Sequence, residues 1–211
     1  MNLLGINIEW LGHACFRIKH EETIIYLDPF KLKNSDEADF IFITHEHFDH
    51  CSVEDVRKIT KKETVIITVA DCQSKLKDAG TENVKIVSPG KSLDFERVKV
   101  KAVRAYNKNK QFHPKANDWV GFILEMGCVK VYHSGDTDLI DEMKNIKADI
   151  TLLPVSGTYV MTAEEAAKAA EMIKPKFAIP MHYGAIVGKK EDAIKFKSLC
   201  ESKGISVVVF E

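Results

Sequence analysis

The chain has 211 residues, 45% of them hydrophobic and 29% charged, with 30 Lys and Arg against 31 Asp and Glu for a net charge of -1. That balance suits a globular protein of one domain, and it calls for neither a nucleic-acid partner nor a disordered acidic tail. The longest apolar runs, at 23–27 and 206–210, are far too short to cross a bilayer, and residues 1–27 lack the basic start and long apolar block of a secretory leader. Five scattered cysteines (15, 51, 72, 128 and 200) include no C-x-x-C pair, which argues against a disulfide framework and for a reducing cytoplasm. Cys15, Cys128 and Cys200 read as small buried hydrophobes, whereas Cys51, next to His50, is expected to line a site without being a ligand.

Taken in chain order, Thr23–Leu27 is a β-branched and aromatic run that stops at Asp28-Pro29 and predicts a strand. Residues 40–44 are apolar at nearly every position, as in a strand covered on both faces. A helix is expected over 53–60, a strand over 64–69, a second helix over 71–79 closing at Gly80, and a strand over 98–103. Residues 121–125 and Val129–His133, joined across Met126-Gly127-Cys128, predict a hairpin. Short buried strands follow at 150–153 and 177–179. Between them Ala163–Ile173 is the clearest helix, opened by Thr162 and Glu165 at capping-box spacing and ended before Pro175. A last helix over 190–203 ends at Gly204, and a strand over 205–210 closes the chain. The 11 Gly and 6 Pro are dispersed and no linker is visible. Hairpins followed by strand–helix alternation in each half predict two sheets with helices outside, as one domain over 1–211.

The most informative stretch is His45-Glu46-His47-Phe48-Asp49-His50. His45 and His47 alternate to one side of an extended segment leaving a buried strand, and Asp49 and His50 follow in the next turn. Imidazole nitrogen and carboxylate oxygen are what borderline divalent metals prefer, and this spacing can supply two ligands to each of two ions.

With this H-x-H-x-D-H motif the sequence resembles the metallo-β-lactamase superfamily. The resemblance continues in order through His133-Ser134-Gly135-Asp136-Thr137-Asp138 and Pro180-Met181-His182-Tyr183-Gly184. Trp10-Leu11-Gly12-His13-Ala14 and Asp28-Pro29-Phe30 look like the branch containing ascorbate-6-phosphate lactonases and phospholipase-D-type phosphodiesterases. It implies an α/β fold, a four-layer αββα sandwich of two mixed β-sheets flanked by helices, with a dinuclear metal site at one edge. Carried over residue by residue, His45 and His47 would bind a first metal, Asp49, His50 and His182 a second, and Asp136 would bridge them. Relatives commonly place the first metal's third His directly after the strand equivalent to 98–105. Here that position is Asn107, and His113 stands six residues on. Neutral imidazole is the better ligand, so His113 is assigned to the metal and Asn107 to a supporting or substrate contact. His13 is read either at the mouth of the site or packed beneath it, Asp28 as an orienting carboxylate, and His133 as buried structure.

The implied cofactors are two divalent ions, zinc first, with manganese, iron and nickel compatible with the mixed nitrogen and oxygen ligands. Such a pair traps a hydroxide and polarises a scissile bond, with Asp49 holding the nucleophile and His182 or His13 assisting the leaving group. The expected activity is metal-dependent hydrolysis of an ester, lactone or phosphodiester in a small-molecule substrate. The competing classes are an iron-dependent, dioxygenase-like oxidoreductase on the same fold and a non-catalytic metal-bound interaction module. Even without His113, the six remaining ligands exceed what a structural site requires. The loop over 107–118, with Lys108, Lys110 and Lys115 beside Phe112 and Trp119, is expected to form a substrate wall suited to an anionic group.

Overall fold

The computed structural model describes residues 1–33 and 35–210, which fall into two compact units, Met1–Ser88 and Pro89–Glu211. Among the described residues of the first unit, seven strands lie in chain order across one sheet: β1 (Asn2–Leu3), β2 (Ile6–Gly12), β3 (Cys15–His20), β4 (Thr23–Leu27), β5 (Ala38–Phe42), β6 (Thr60–Thr68) and β7 (Val84–Ile86). The pairings from β1 to β4 are antiparallel and those from β4 to β7 parallel. On β2, Ile6 and Ile8 are buried while Asn7 and Glu9 are exposed, the period-two pattern of a strand with one wet face. On β5 four of five residues are buried, as a strand covered on both faces demands. Helix α1 (Val53–Ile59) joins β5 to β6 and buries Val56 and Ile59. Its first turn is fixed by Ser52, whose hydroxyl accepts from Asp55 N, and by Asp55, whose carboxylate accepts from Lys31 N at 2.8 Å and Leu32 N at 3.0 Å.

The helix expected over 71–79 is not an α-helix. A 3₁₀ turn over Ala70–Cys72 runs into further turns, with Gln73 N, Lys75 N and Ala79 N each bonding three residues back. Cys72, Leu76 and Ala79 are buried at the expected helical spacing, but Val69 supplies no side-chain cap. A short segment without a cap does not recover the cost of nucleating an α-helix.

The second unit repeats the plan. Its described strands are β8 (Ser92–Asp94), β9 (Lys99–Arg104), β10 (Val120–Met126), β11 (Val129–His133), β12 (Ile150–Pro154), β13 (Phe177–Met181) and β14 (Ser206–Val207), adjacent in chain order. Pairing is antiparallel from β8 to β11 and parallel from β11 to β14. The β10–β11 hairpin turns across Gly127, at φ 57°, and Cys128, which is exposed rather than buried as its composition suggested. Helix α2 (Ala163–Ile173) buries five alanines and Ile173, and both halves of its capping box form: Glu165 N donates to Thr162 Oγ1 and Thr162 N to Glu165 Oε2. Helix α3 (Lys190–Glu201) ends two residues earlier than expected, and the last strand shrinks to Ser206–Val207. The α/β class with two mixed sheets and flanking helices is therefore found. No helix among the described residues is long and apolar enough to cross a membrane.

This pairing pattern positions the chemistry. Two antiparallel steps followed by parallel ones leave β2, β4, β5 and β6 running in one direction, so His13, Asp28 and the segment 45–50 all leave from one edge of the first sheet. By the same logic β9, β11, β12 and β13 deliver His113, Asp136, Ser156 and His182 to one edge of the second. Ligand sites in such sheets collect at the carboxyl ends of strands.

Candidate metal centre

In the first unit, Asp28 organises the motif. Its buried carboxylate accepts from Thr44 N at 2.8 Å, from the Thr44 hydroxyl at 2.8 Å and from His50 Nδ1 at 2.7 Å. Because the Thr44 hydroxyl spends its proton on Asp28, it can only accept from His45 Nδ1, 2.9 Å away. One carboxylate thereby fixes two imidazoles, directly and through a hydroxyl, with Nδ1 donating to its support and Nε2 on the far side of each ring. His45 Nε2 and His47 Nδ1 lie 3.1 Å apart. His13 Nε2 meets Asp49 Oδ2 at 2.8 Å, and ligand atoms of His13, Asp49 and His50 fall within 4.8 Å of one another. His13 and Asp28 hold left-handed backbone, at φ 54° and 44°, and the Trp10 indole donates to His13 O at 2.9 Å to pin the first of these turns. Such conformations cost on the order of 1–3 kcal/mol each and gather at functional sites.

In the second unit, the buried Asp136 Oδ2 stands 3.3 Å from His113 Nε2 and 3.0 Å from His182 Nε2. The turn that carries Asp136 is held by Gly135 N donating to His133 Nδ1 at 3.1 Å, which gives His133 the structural role expected of it. Gly121 makes room for the same turn, since a Cβ there would sit 2.6 Å from Ser134 O and 2.7 Å from His133 O. Asn107 orients His113: its Oδ1 accepts from His113 N at 3.1 Å and Nδ1 at 3.0 Å, and its Nδ2 donates to Asp138 Oδ1 at 3.1 Å and Tyr159 O at 2.9 Å. With two donors met by two acceptors, the amide has one sensible orientation. Asp138 also accepts from Lys108 N and pairs with Lys110. His182, again on left-handed backbone (φ 61°), has Ser156 Oγ 3.1 Å from its Nδ1.

The donor set fits divalent metal. Asn107 Oδ1 takes the His113 Nδ1 proton, so the atom facing Asp136 Oδ2 is an imidazole lone pair opposite a carboxylate oxygen. A neutral imidazole with Nδ1 protonated would set a nitrogen lone pair 3.3 Å from a carboxylate oxygen, a pair of donors that one cation could serve. Hard oxygen and borderline nitrogen together suit zinc and its neighbours.

The expected ligands thus gather in two sets, His45, His47, Asp49 and His50 in one unit, and His113, Asp136 and His182 in the other. Asn107 lies behind His113 as a support. His13, left between two roles by the sequence, reaches Asp49. Asp138 and Ser156 were missed; Asp138 stands two residues beyond Asp136, a signal that could have been used, while nothing around Ser156 marks it. Trp119 is buried edge-on against His113, ring centroids 5.6 Å apart, and offers no open surface. Cys51 is buried and hydrogen-bonded to Cys72, which holds its thiol below the usual range while Cys72 is pushed up.

The family model described as the beta-lactamase superfamily domain matches residues 7–182. The chain belongs to that superfamily. A UPF0173 metal-dependent hydrolase of Thermoplasma acidophilum is 36% identical to this superfamily member, over 98% of this chain and 96% of its own. The crystal structure of a protein from Parabacteroides distasonis assigned as a metal-dependent hydrolase superposes with a TM-score of 0.87 at 33% identity, covering 97% of this chain and 92% of that one. A metallo hydrolase from Ignicoccus hospitalis shares the fold, with a TM-score of 0.81 at 24% identity over 98% and 95% of the two chains. On the strength of the first two relatives, this β-lactamase superfamily member is a metal-dependent hydrolase.

Proposed function

We propose that His45, His47 and His113 hold one divalent ion, that Asp49, His50 and His182 hold a second with His13 beside them, and that Asp136 bridges the pair. Zinc is the first choice. The family match runs from residue 7 to residue 182 without a break, which supports reading 1–211 as one domain. The observation that carries the proposal is the orientation of the imidazoles: Nδ1 of His45, His50 and His113 is committed to Thr44, Asp28 and Asn107, so Nε2 is the atom each presents. Two such ions, when bound, bring a water's pKa toward about 7 and polarise the scissile group. Asp49 would hold the attacking nucleophile as well as its metal, and His182, held through Ser156, would help the leaving group by positioning its metal. The bond cut is that of an ester, lactone or phosphodiester. The location proposed is the cytoplasm.

The loop expected to attract an anion is largely neutralised. Lys108 Nζ lies 3.7 Å from Asp141, Lys110 pairs with Asp138, and Lys115 lies 3.5 Å from Glu142. Elemental analysis after metal-supplemented growth, with a hydrolysis screen over phosphodiesters, lactones, thioesters and β-lactams, tests the proposal. Folded protein that never binds more than one equivalent of metal defeats the dinuclear claim, and a loaded preparation inert on every ester and lactone defeats the substrate class.

A further inference from the structure

Of the 11 phenylalanines, nine are buried or half-buried, and two are exposed: Phe48 at 69% and Phe112 at 50%. Phe48 stands between His47 and Asp49, and Phe112 directly precedes His113. A third of the six large hydrophobic residues exposed among the described ones, Ile186, follows His182 by four positions in the loop before α3. Leaving a phenylalanine in water forgoes about 1.5–3 kcal/mol of burial, and random placement would not put both exposed rings against candidate ligands.

Neither ring is loose. Phe48 meets Phe30 edge-on with centroids 5.9 Å apart, and Phe30 in turn lies 5.9 Å from His13. Phe112 meets Tyr159 edge-on at 4.5 Å, and the Tyr159 carbonyl accepts from Asn107, the residue that orients His113. Each ring is braced by the framework that aims a ligand. The lysines around Phe112 have their charge met by Asp138, Asp141 and Glu142, so exposed apolar surface is what this loop has left to offer.

We infer that the substrate carries an alkyl or aryl group beside the bond that is cut, and that Phe48 and Phe112 receive it, with Ile186 extending the apolar surface. The inference rests on the reading that the neighbouring His and Asp residues hold metal. Contacts through Phe30 and His13 tie Phe48, and contacts through Tyr159 and Asn107 tie Phe112, each to the candidate ligands of its own unit. A second copy of the chain seated on these rings would also cover the ligands they adjoin, which favours a small molecule as the occupant.

The test is calorimetric binding of the straight-chain carboxylates from acetate to octanoate, and in parallel the alcohols from ethanol to octanol, to the zinc-loaded protein. Affinity should rise about two- to fourfold per methylene. Phe48→Ser and Phe112→Ser should each flatten that slope while leaving acetate binding and metal content unchanged. Chain length without effect in both series overturns the inference, as do variants that keep the full slope. A dimer in sedimentation that both variants convert to monomer with the slope intact also overturns it, in favour of a second copy. A preparation that holds no metal by elemental analysis instead sinks the reading beneath, and the alcohol series still decides this one.

Discussion

The two units share one plan of strand order and pairing, yet they orient their candidate ligands by different chemistry. In the first, four candidate ligands crowd into 45–50 and a buried carboxylate, Asp28, fixes two of them. In the second, three candidate ligands stand at 113, 136 and 182, and the atoms that meet Nδ1 of the two imidazoles are neutral, an amide oxygen of Asn107 and a hydroxyl of Ser156. The loops correspond: His13 follows β2 as His113 follows β9, and Asp28 follows β4 as Asp136 follows β11. Equivalent positions thus supply an orienting carboxylate in one unit and a candidate bridging ligand in the other. The topology places polar residues at a strand edge, and neighbouring side chains decide which role each takes.

The comparison breaks most sharply at Asp49. It has no counterpart in the second unit and is assigned both to metal and to the attacking water. Asp49→Ala should lower turnover by more than roughly 10³-fold. The side chain is 13% exposed and apolar neighbours gain little from it, so the melting temperature should hardly move. Near-normal turnover at saturating metal would remove Asp49 from the mechanism.

His113→Ala and Asn107→Ala sharpen the comparison from the second unit. Loss of His113 should remove one equivalent of metal, whereas loss of Asn107 should weaken that equivalent by about tenfold, because the imidazole remains but its tautomer and aim are unfixed. If Asn107→Ala abolished the site and His113→Ala spared it, the two assignments would have to be exchanged.

Charged against neutral orientation is tested by Asp28→Asn beside Ser156→Ala. The first replaces a carboxylate that accepts from Thr44 N, the Thr44 hydroxyl and His50 Nδ1 with an amide that must turn a donor toward one of them. It should cost metal affinity about 10–100-fold. The second removes a single contact to His182 and should cost a few-fold at most. Equal losses, read by competition with a chelator, would mean that charge is not what distinguishes the units.

How much of this was legible followed the same division. The contiguous motif at 45–50 could be read because its ligands are local in sequence, and α2 because its capping box and alanines are. The support of His113 could be read only in part, in Asn107 as a supporting or substrate contact. It depends on Asn107, Asp138 and Tyr159, brought together only when β9, the turn after β11 and the loop after β12 meet at one sheet edge. The expected helix over 71–79 had the right apolar spacing but no cap, and spacing alone did not decide its backbone. Lys108, Lys110 and Lys115 looked like a positive wall because the carboxylates that meet them stand 27 to 33 residues away in the chain.

The smallest expected effect concerns the helices, where the contrast recurs. Both first turns are capped by a hydroxyl, Ser52 in α1 and Thr162 in α2, but α1 adds the buried carboxylate of Asp55, which accepts from Lys31 N and Leu32 N. Burial alone would raise the Asp55 pKa, but donation from Lys58, Ser52, Lys31 N and Leu32 N outweighs it, and the net shift is downward from 3.8. A folded-state pKa below the unfolded one means that the unfolded chain takes up protons first as acid is added. The stabilisation is complete above the unfolded pKa of about 4 and disappears as pH falls through the folded value. Asp55→Asn should therefore lower the urea midpoint at pH 7, by an amount equivalent to about 1–2 kcal/mol, and the gap to the parent protein should close on titration below pH 4. Thr162→Ala should cost about 1 kcal/mol, and since a hydroxyl does not titrate, its deficit should persist over the same range. A pH-independent deficit for Asp55→Asn would show that its hydrogen-bonding shape, and not its charge, holds the turn.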